Sequence, residues 1–219
     1  MLLILDCDGV LIDSEIISME IDARFLTELG MPHTAQEAAR RFVGKPHAEF
    51  LRTVEIDLGR RLSETELEEH EAEYRRRMLT ELRPIAGVRE AVTGLGVKYC
   101  VASSTHLPVL RRNLTTAGLI DLFEPHIFSA SQVARGKPAP DVFLHATSQR
   151  GFDPCDCLVI EDSVPGVTAA RRAGMRVVGF LGGGHIQPGH DEVLIEAGAV
   201  AVFDAMADLG RIVQTHCPR

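Results

Sequence analysis

Leu2-Leu3-Ile4-Leu5-Asp6-Cys7-Asp8-Gly9-Val10 is the stretch from which the fold can be read. Four apolar residues closed by a turn signal predict a short buried strand. Side chains alternate along a strand, so Asp6 and Asp8 leave it on the same side, one residue apart across Cys7. Two carboxylates in one small volume stay ionised only beside a cation or strong donors. An oxygen-rich site of this kind suits Mg²⁺. Gly9 allows a tight turn or the close approach of a ligand. The plainer reading is an ordinary Asp-Gly turn. A helix-loop-helix calcium site fits badly, because its fifth ligand position would fall on Val10 and no helix precedes the loop.

Beyond this stretch the chain is helical for some seventy residues. Ile17, Ile21, Phe25 and Leu29 recur at helical spacing, with Asp13 or Ser14 as cap and Gly30 as stop. Thr34 with Glu37, and Ser63 with Glu66, are capping boxes that open further helices. Phe42-Val43-Gly44-Lys45-Pro46 breaks the second helix, and a third is predicted from His47 to Leu58. After Pro84 strands alternate with helices. Strands are predicted at Val97–Ala102, His126–Ser129, Cys157–Ile160, Arg176–Phe180 and Ala199–Phe203, and helices from about Pro108, Asp141 and Val164. The alternation implies an α/β core: a Rossmann-like, mostly parallel sheet flanked by helices. Residues 14–82 then read as an all-helical cap domain inserted into a core made of residues 1–13 and 83–219. A loop at the carboxyl end of a strand is where such sheets bind ligands, so the insertion is placed to act as a lid.

The totals narrow the class of function. The 219 residues carry 23 Lys+Arg against 31 Asp+Glu, a formal charge of -8, which argues against nucleic acid or an anionic membrane surface as partner. Cys7, Cys100, Cys155, Cys157 and Cys217 form no paired framework or zinc spacing, which suits reduced thiols and a cytoplasmic setting. No signal peptide or membrane-spanning run is visible. Fingerprints for dinucleotide or nucleoside triphosphate binding are absent. Gly182-Gly183-Gly184-His185 follows a strand end and reads first as a flexible connection, with the active-site edge as the alternative.

Four predicted strand ends carry complementary chemistry: Asp6 and Asp8, Ser103, Lys137, then Glu161 and Asp162. In a parallel sheet these ends share one edge. Each has an innocent reading as a helix cap, a loop lysine or an acidic first turn, yet together they suit phosphoryl transfer. A carboxylate can attack phosphorus, a cation and a lysine can neutralise the phosphate oxygens, a hydroxyl can donate to them, and a second carboxyl can move the proton.

The Asp6-Cys7-Asp8-Gly9-Val10 opening, Val101-Ala102-Ser103-Ser104, Gly136-Lys137-Pro138-Ala139-Pro140-Asp141 and Ile160-Glu161-Asp162-Ser163, in this order, resemble the four motifs of the haloacid dehalogenase superfamily. The resemblance is to the branch holding beta-phosphoglucomutase and small sugar-phosphate phosphatases. It implies that Asp6 is the nucleophile and Asp8 the general acid and base. It also implies Mg²⁺ on the Asp6 side chain, the Asp8 carbonyl and Asp162, with Glu161 a ligand or its partner. Ser103, Ser104 and Lys137 would hold the phosphate, and Ser14, Glu15, Gly44 and Lys45 would stand near the substrate, a small phosphorylated metabolite such as a sugar or sugar-acid phosphate. The superfamily's dehalogenases lack the second aspartate, so Asp8 favours phosphate chemistry. The mutase carries a histidine where this chain has Ser18, which favours hydrolysis over a phosphosugar mutase. A phosphorylatable receiver-type signalling domain is the alternative of another class, and it suits a shorter chain with a later acceptor.

Overall fold

In the computed structural model, which describes residues 1–42 and 47–216, the sequence forms strands β1 (Leu2–Leu5), β2 (Lys98–Ser103), β3 (Ile127–Ser129), β4 (Cys157–Glu161), β5 (Arg176–Phe180) and β6 (Val202–Phe203). All pair in parallel, in the order β3-β2-β1-β4-β5-β6. β1 lies between β2 and β4, with Leu2 opposite both Lys98 and Cys157 and Leu5 opposite both Val101 and Ile160. The strand order reverses at β1, and the crevice beyond its carboxyl end is the ligand position of doubly wound sheets. Both faces of β1 are covered, since Leu2, Leu3, Ile4 and Leu5 are all fully buried. Burial of such side chains contributes about 1.5–3 kcal/mol each, which accounts for the continuous apolar run.

Helices α1 (Ser14–Glu28), α2 (Ala35–Phe42), α3 (His47–Leu58) and α4 (Glu64–Thr80) follow β1 in the chain and make a separate compact unit, residues 14–82. Its core is Ala23, Phe25, Leu26, Ala38, Phe42, Phe50, Val54 and Leu62. Both capping boxes form. Glu37 accepts from Thr34 N at 2.8 Å while Thr34 Oγ1 accepts from Glu37 N at 3.2 Å, and Ser63 and Glu66 repeat the exchange at α4. Buried His70 lies 3.2 Å from Asp22 through Nε2 and packs its ring on Phe25, tying α4 to α1.

The other unit, residues 1–13 and 83–219, holds the sheet. Its helices are α5 (Val88–Thr93), α6 (Leu107–Thr116), α7 (Ile120–Phe123), α8 (Asp141–Arg150), α9 (Val164–Arg172), α10 (His190–Ala197) and α11 (Leu209–His216). Leu2 and Ile4 pack into one cluster with Val142, Phe143 and Ala146 of α8 and Val167, Ala169 and Ala170 of α9. The last strand is shorter than its apolar run predicts: Ala199 bonds back to α10, Val200 and Ala201 bond to β5, and only Val202 and Phe203 are strand. α5, α7, α10 and α11 were not expected from spacing, because four to eight residues hold too few apolar positions to declare a period. No helix among the described residues is long and apolar enough to cross a membrane.

Candidate active site

The end of β1 is shaped by its own backbone. Asp6 N donates to Ile160 O at 3.0 Å, so the ladder continues one residue past the strand. The chain then closes on the Cys7 carbonyl, which accepts from Leu11 N at 2.8 Å and Ile12 N at 3.1 Å. Gly9 turns the corner at φ 77, and a Cβ there would stand 1.9 Å from Asp162 Oδ2. Only glycine fits both the left-handed backbone and the close carboxylate.

Lys137 arrives from the loop before α8 and enters this site almost wholly buried. Its Nζ donates to Asp6 Oδ1 at 2.6 Å, Glu161 Oε1 at 2.7 Å and Ala102 O at 3.1 Å, which employs all three ammonium protons. Glu161, the last residue of β4, is fully buried. Its other oxygen, Oε2, accepts from Asp162 N, Ser163 N and Ser163 Oγ, each at 2.9 Å. Ser163 Oγ in turn accepts from Gly166 N at 3.2 Å and caps α9. One carboxylate therefore anchors the lysine, the strand end and the next helix.

Charge in this cluster does not balance by itself. Burial pushes the Asp6 carboxyl well above the usual range; Lys137 pulls it down, and Glu161 and Asp162 push it up again. Asp162 is raised by burial and by Glu161, against a smaller pull from Lys137. Burial lowers the Lys137 ammonium, but Asp6 and Glu161 more than offset this and hold it charged. Three carboxylates around one lysine leave a surplus of negative charge, and ligand oxygens of Asp6, Glu161 and Asp162 lie within 4.8 Å of one another. A hard divalent cation with oxygen ligands fits this deficit. The sequence left Glu161 open as ligand or partner. Both its oxygens are already engaged, by Lys137 and by the start of α9, while Asp6, Glu161 and Asp162 together form the group of side chains that could hold the ion.

Asp8 stands apart from this group. Its Oδ2 accepts from Thr105 Oγ1 at 2.7 Å and from Ser103 Oγ at 3.3 Å. The alternation rule predicts a shared volume for Asp6 and Asp8; the turn at Gly9 instead sends the Asp8 carboxylate toward the end of β2. Ser103 is buried and its Oγ also accepts from Thr105 N, while Ser104 is exposed on the loop behind it. Thr105 was not singled out from sequence, since a threonine after two serines looks like loop chemistry. Ser14 and Glu15 form the first turn of α1 in the helical unit, Ser14 buried and Glu15 half-buried. Gly44 and Lys45 lie outside the described residues.

The triple-glycine segment takes the alternative reading, the active-site edge, rather than that of a flexible connection. His185 is buried with Nε2 3.1 Å from Asp162 Oδ2, and His190 Nε2 lies 2.6 Å from Asp162 O. Gly166 was missed from sequence. A Cβ on it would lie 1.7 Å from Glu161 Oε1, whereas one on Gly210 in α11 meets nothing within 4 Å. Gly166→Ala is therefore expected to cost about 3 kcal/mol or more in urea unfolding, and Gly210→Ala to leave stability unchanged or raise it by up to about 1 kcal/mol. A stable Gly166→Ala protein would show that the Glu161 clamp is not required.

Comparison with known proteins agrees with this geometry. Residues 3–180 match the haloacid dehalogenase-like hydrolase family. The chain is 29% identical over 184 residues to the 6-phosphogluconate phosphatase of Escherichia coli strain K12, covering 84% of this chain and 83% of that protein. It is 33% identical over 204 residues to the phosphorylated carbohydrates phosphatase of Thermotoga maritima, covering 91% and 92%. The crystal structure of a conserved haloacid dehalogenase-like protein from Agrobacterium tumefaciens superposes with a TM-score of 0.89 at 40% identity, over 98% of this chain and 97% of that one. A sheet whose order reverses at an Asp-x-Asp-Gly strand end, a buried lysine among carboxylates, and relatives with phosphatases among them lead to one assignment: the chain belongs to the haloacid dehalogenase-like hydrolase family.

Proposed function

We propose that this protein is a Mg²⁺-dependent phosphatase that hydrolyses a small phosphorylated metabolite, a sugar or sugar-acid phosphate, through an aspartyl phosphate on Asp6. The observation that carries the reading is the buried Asp6–Lys137–Glu161–Asp162 cluster at the sheet's switch point, with Asp8 held separately beside Ser103 and Thr105. The sugar class is supported by the phosphatases of E. coli and T. maritima, whose names specify 6-phosphogluconate and phosphorylated carbohydrates.

Asp6 and Asp162, with the Asp8 carbonyl, would hold the ion. Mg²⁺ supplies charge neutralisation at the phosphate oxygens. The Asp6 carboxylate oxygen forms a bond to phosphorus as the ester oxygen departs, and Asp8 gives that oxygen its proton. Asp8, now ionised, takes a proton from water; the hydroxide attacks phosphorus, and the Asp6 carboxylate is released with inorganic phosphate. Ser103 and Ser104 orient the phosphate, and Lys137 adds a fixed positive charge beside it. Residues 14–82 serve as a cap that supplies contacts to the substrate, Ser14 and Glu15 among them. The free thiols Cys7, Cys100, Cys155 and Cys157 suit a reducing compartment, and the proposal places the enzyme in the cytoplasm.

A panel of phosphorylated metabolites tests this. Phosphate release is expected from sugar and sugar-acid phosphates, with Mg²⁺ required and chelator abolishing it. Conversion of a hexose 1-phosphate to the 6-phosphate without free phosphate would replace hydrolysis by mutase chemistry. A phosphoaspartate that persists for minutes without turnover would replace both by a signalling role.

A further inference from the structure

The loop between β5 and α10 runs over Asp162 and is fastened on both sides. Gly184 N donates to Asp13 Oδ1 at 3.0 Å, at the far end of the Asp6–Asp8 turn. His190, the first residue of α10, faces the Asp162 carbonyl at 2.6 Å; a carbonyl only accepts, so His190 Nε2 carries the proton. His185, 5% exposed, faces the Asp162 side chain at 3.1 Å. A carboxylate serving as a metal ligand is ionised and only accepts, so in that state His185 Nε2 is the donor.

This approach depends on missing side chains around the ring. A Cβ on Gly183 would lie 2.8 Å from His185 Cε1 and Nδ1 and 2.9 Å from Gly9 O. One on Gly9 would lie 2.8 Å from His185 Cε1. Two glycines from distant parts of the chain thus leave the volume that the imidazole fills. His185 is outside the oxygen cluster of Asp6, Glu161 and Asp162, so its place is behind a ligand. Holding one carboxylate oxygen of Asp162 would fix the orientation of the group and leave the other oxygen available to an ion, as groups behind metal ligands commonly do.

We propose that His185 is a positioning residue for divalent-cation binding, acting through the Asp162 carboxylate. The inference rests on the Mg²⁺ site proposed above. It is tested by titrating Mg²⁺ into metal-free wild type, His185→Gln and His185→Leu in a calorimeter, with the Mg²⁺ dependence of turnover measured beside it. Leu keeps bulk without a donor, and Gln keeps an N–H that can reach the same oxygen. The Mg²⁺ dissociation constant of His185→Leu is expected to rise by about 10–100-fold, and that of His185→Gln to stay near wild type. Saturating Mg²⁺ should restore most of kcat to His185→Leu. If His185→Leu does not fold, His185→Ala supplies the arm without a donor. An unchanged dissociation constant in the donor-free variant overturns the proposal, as does a His185→Gln protein as weak as His185→Leu. Wild type that binds no divalent cation would overturn the proposed function as well, whereas normal wild-type binding with an unaffected His185→Leu leaves that function standing.

Discussion

Asp6→Asn is expected to lower turnover by at least about 10⁴-fold while the protein still folds. An amide is too poor a nucleophile to form the phosphoryl ester, so both half-reactions stop. The change also removes one of three buried carboxylates that share a single lysine, so the metal-free variant should melt no lower than metal-free wild type. Asp8→Asn is the informative companion. Its side chain is held by Thr105 and Ser103 apart from the oxygen cluster, so the variant should still bind Mg²⁺ yet lose about 10²–10⁴-fold in turnover. Single-turnover measurements with a generic aryl phosphate, read beside calorimetric Mg²⁺ titrations, check both. Wild-type turnover in Asp6→Asn would remove the nucleophile from its place, and lost metal binding in Asp8→Asn would merge two roles that the geometry separates.

Lys137→Met is expected to damage stability as much as chemistry. It leaves Asp6, Glu161 and Asp162 buried together without their cation, and breaking a buried pair on one side costs about 3–5 kcal/mol. The pH dependence follows from the direction of the carboxyl shifts. Asp6 and Asp162 already titrate above their unfolded values in the native protein, so the folded state binds more protons than the unfolded one. The stability they contribute is fully present at acid pH, below the unfolded carboxyl value, and is lost as pH rises through the folded values. Without Lys137 those values move higher. Metal-free Lys137→Met should therefore lose progressively more stability relative to wild type as pH rises through the native carboxyl values and above them, and Mg²⁺ should recover part of the loss. Urea melts at a series of pH values with and without Mg²⁺ measure this, and a difference from wild type that does not change with pH would contradict it.

The parts of the fold legible in the sequence are those where one physical demand dominates. Central strands must be apolar on both faces, so β1 and β4 announce themselves as continuous runs, and the capping boxes at Thr34 and Ser63 mark helix starts by local hydrogen bonding alone. The strand-end residues Asp6, Glu161 and Asp162 could be gathered because parallel topology gives every strand end the same edge, and Lys137 joins them from the loop between β3 and α8. What sequence did not disclose depends on closure in three dimensions. His185 looks like the end of a flexible glycine run until Gly9, some 175 residues earlier, is found to leave room for its ring. The three glycines were the available signal. Gly166 and Thr105 are similar: one is required by the Glu161 carboxylate and the other holds Asp8, and neither need is visible without coordinates.

The backbone leaves the sheet unit after Asp13 and re-enters it at Arg83, and these two points are laced together. Asp13 N donates to Arg83 O at 3.0 Å, Ile85 N to Leu11 O at 2.9 Å, and Ile12 bridges to Pro84. The lacing belongs wholly to the sheet unit and asks nothing of residues 14–82 except that their two ends meet. Such a junction is a graft point. Insertions of different length or sequence can be exchanged there with little added closure entropy, since each doubling of a loop costs only about 0.6 kcal/mol. A change in the insertion can thereby leave the carboxylates at the end of β1 undisturbed.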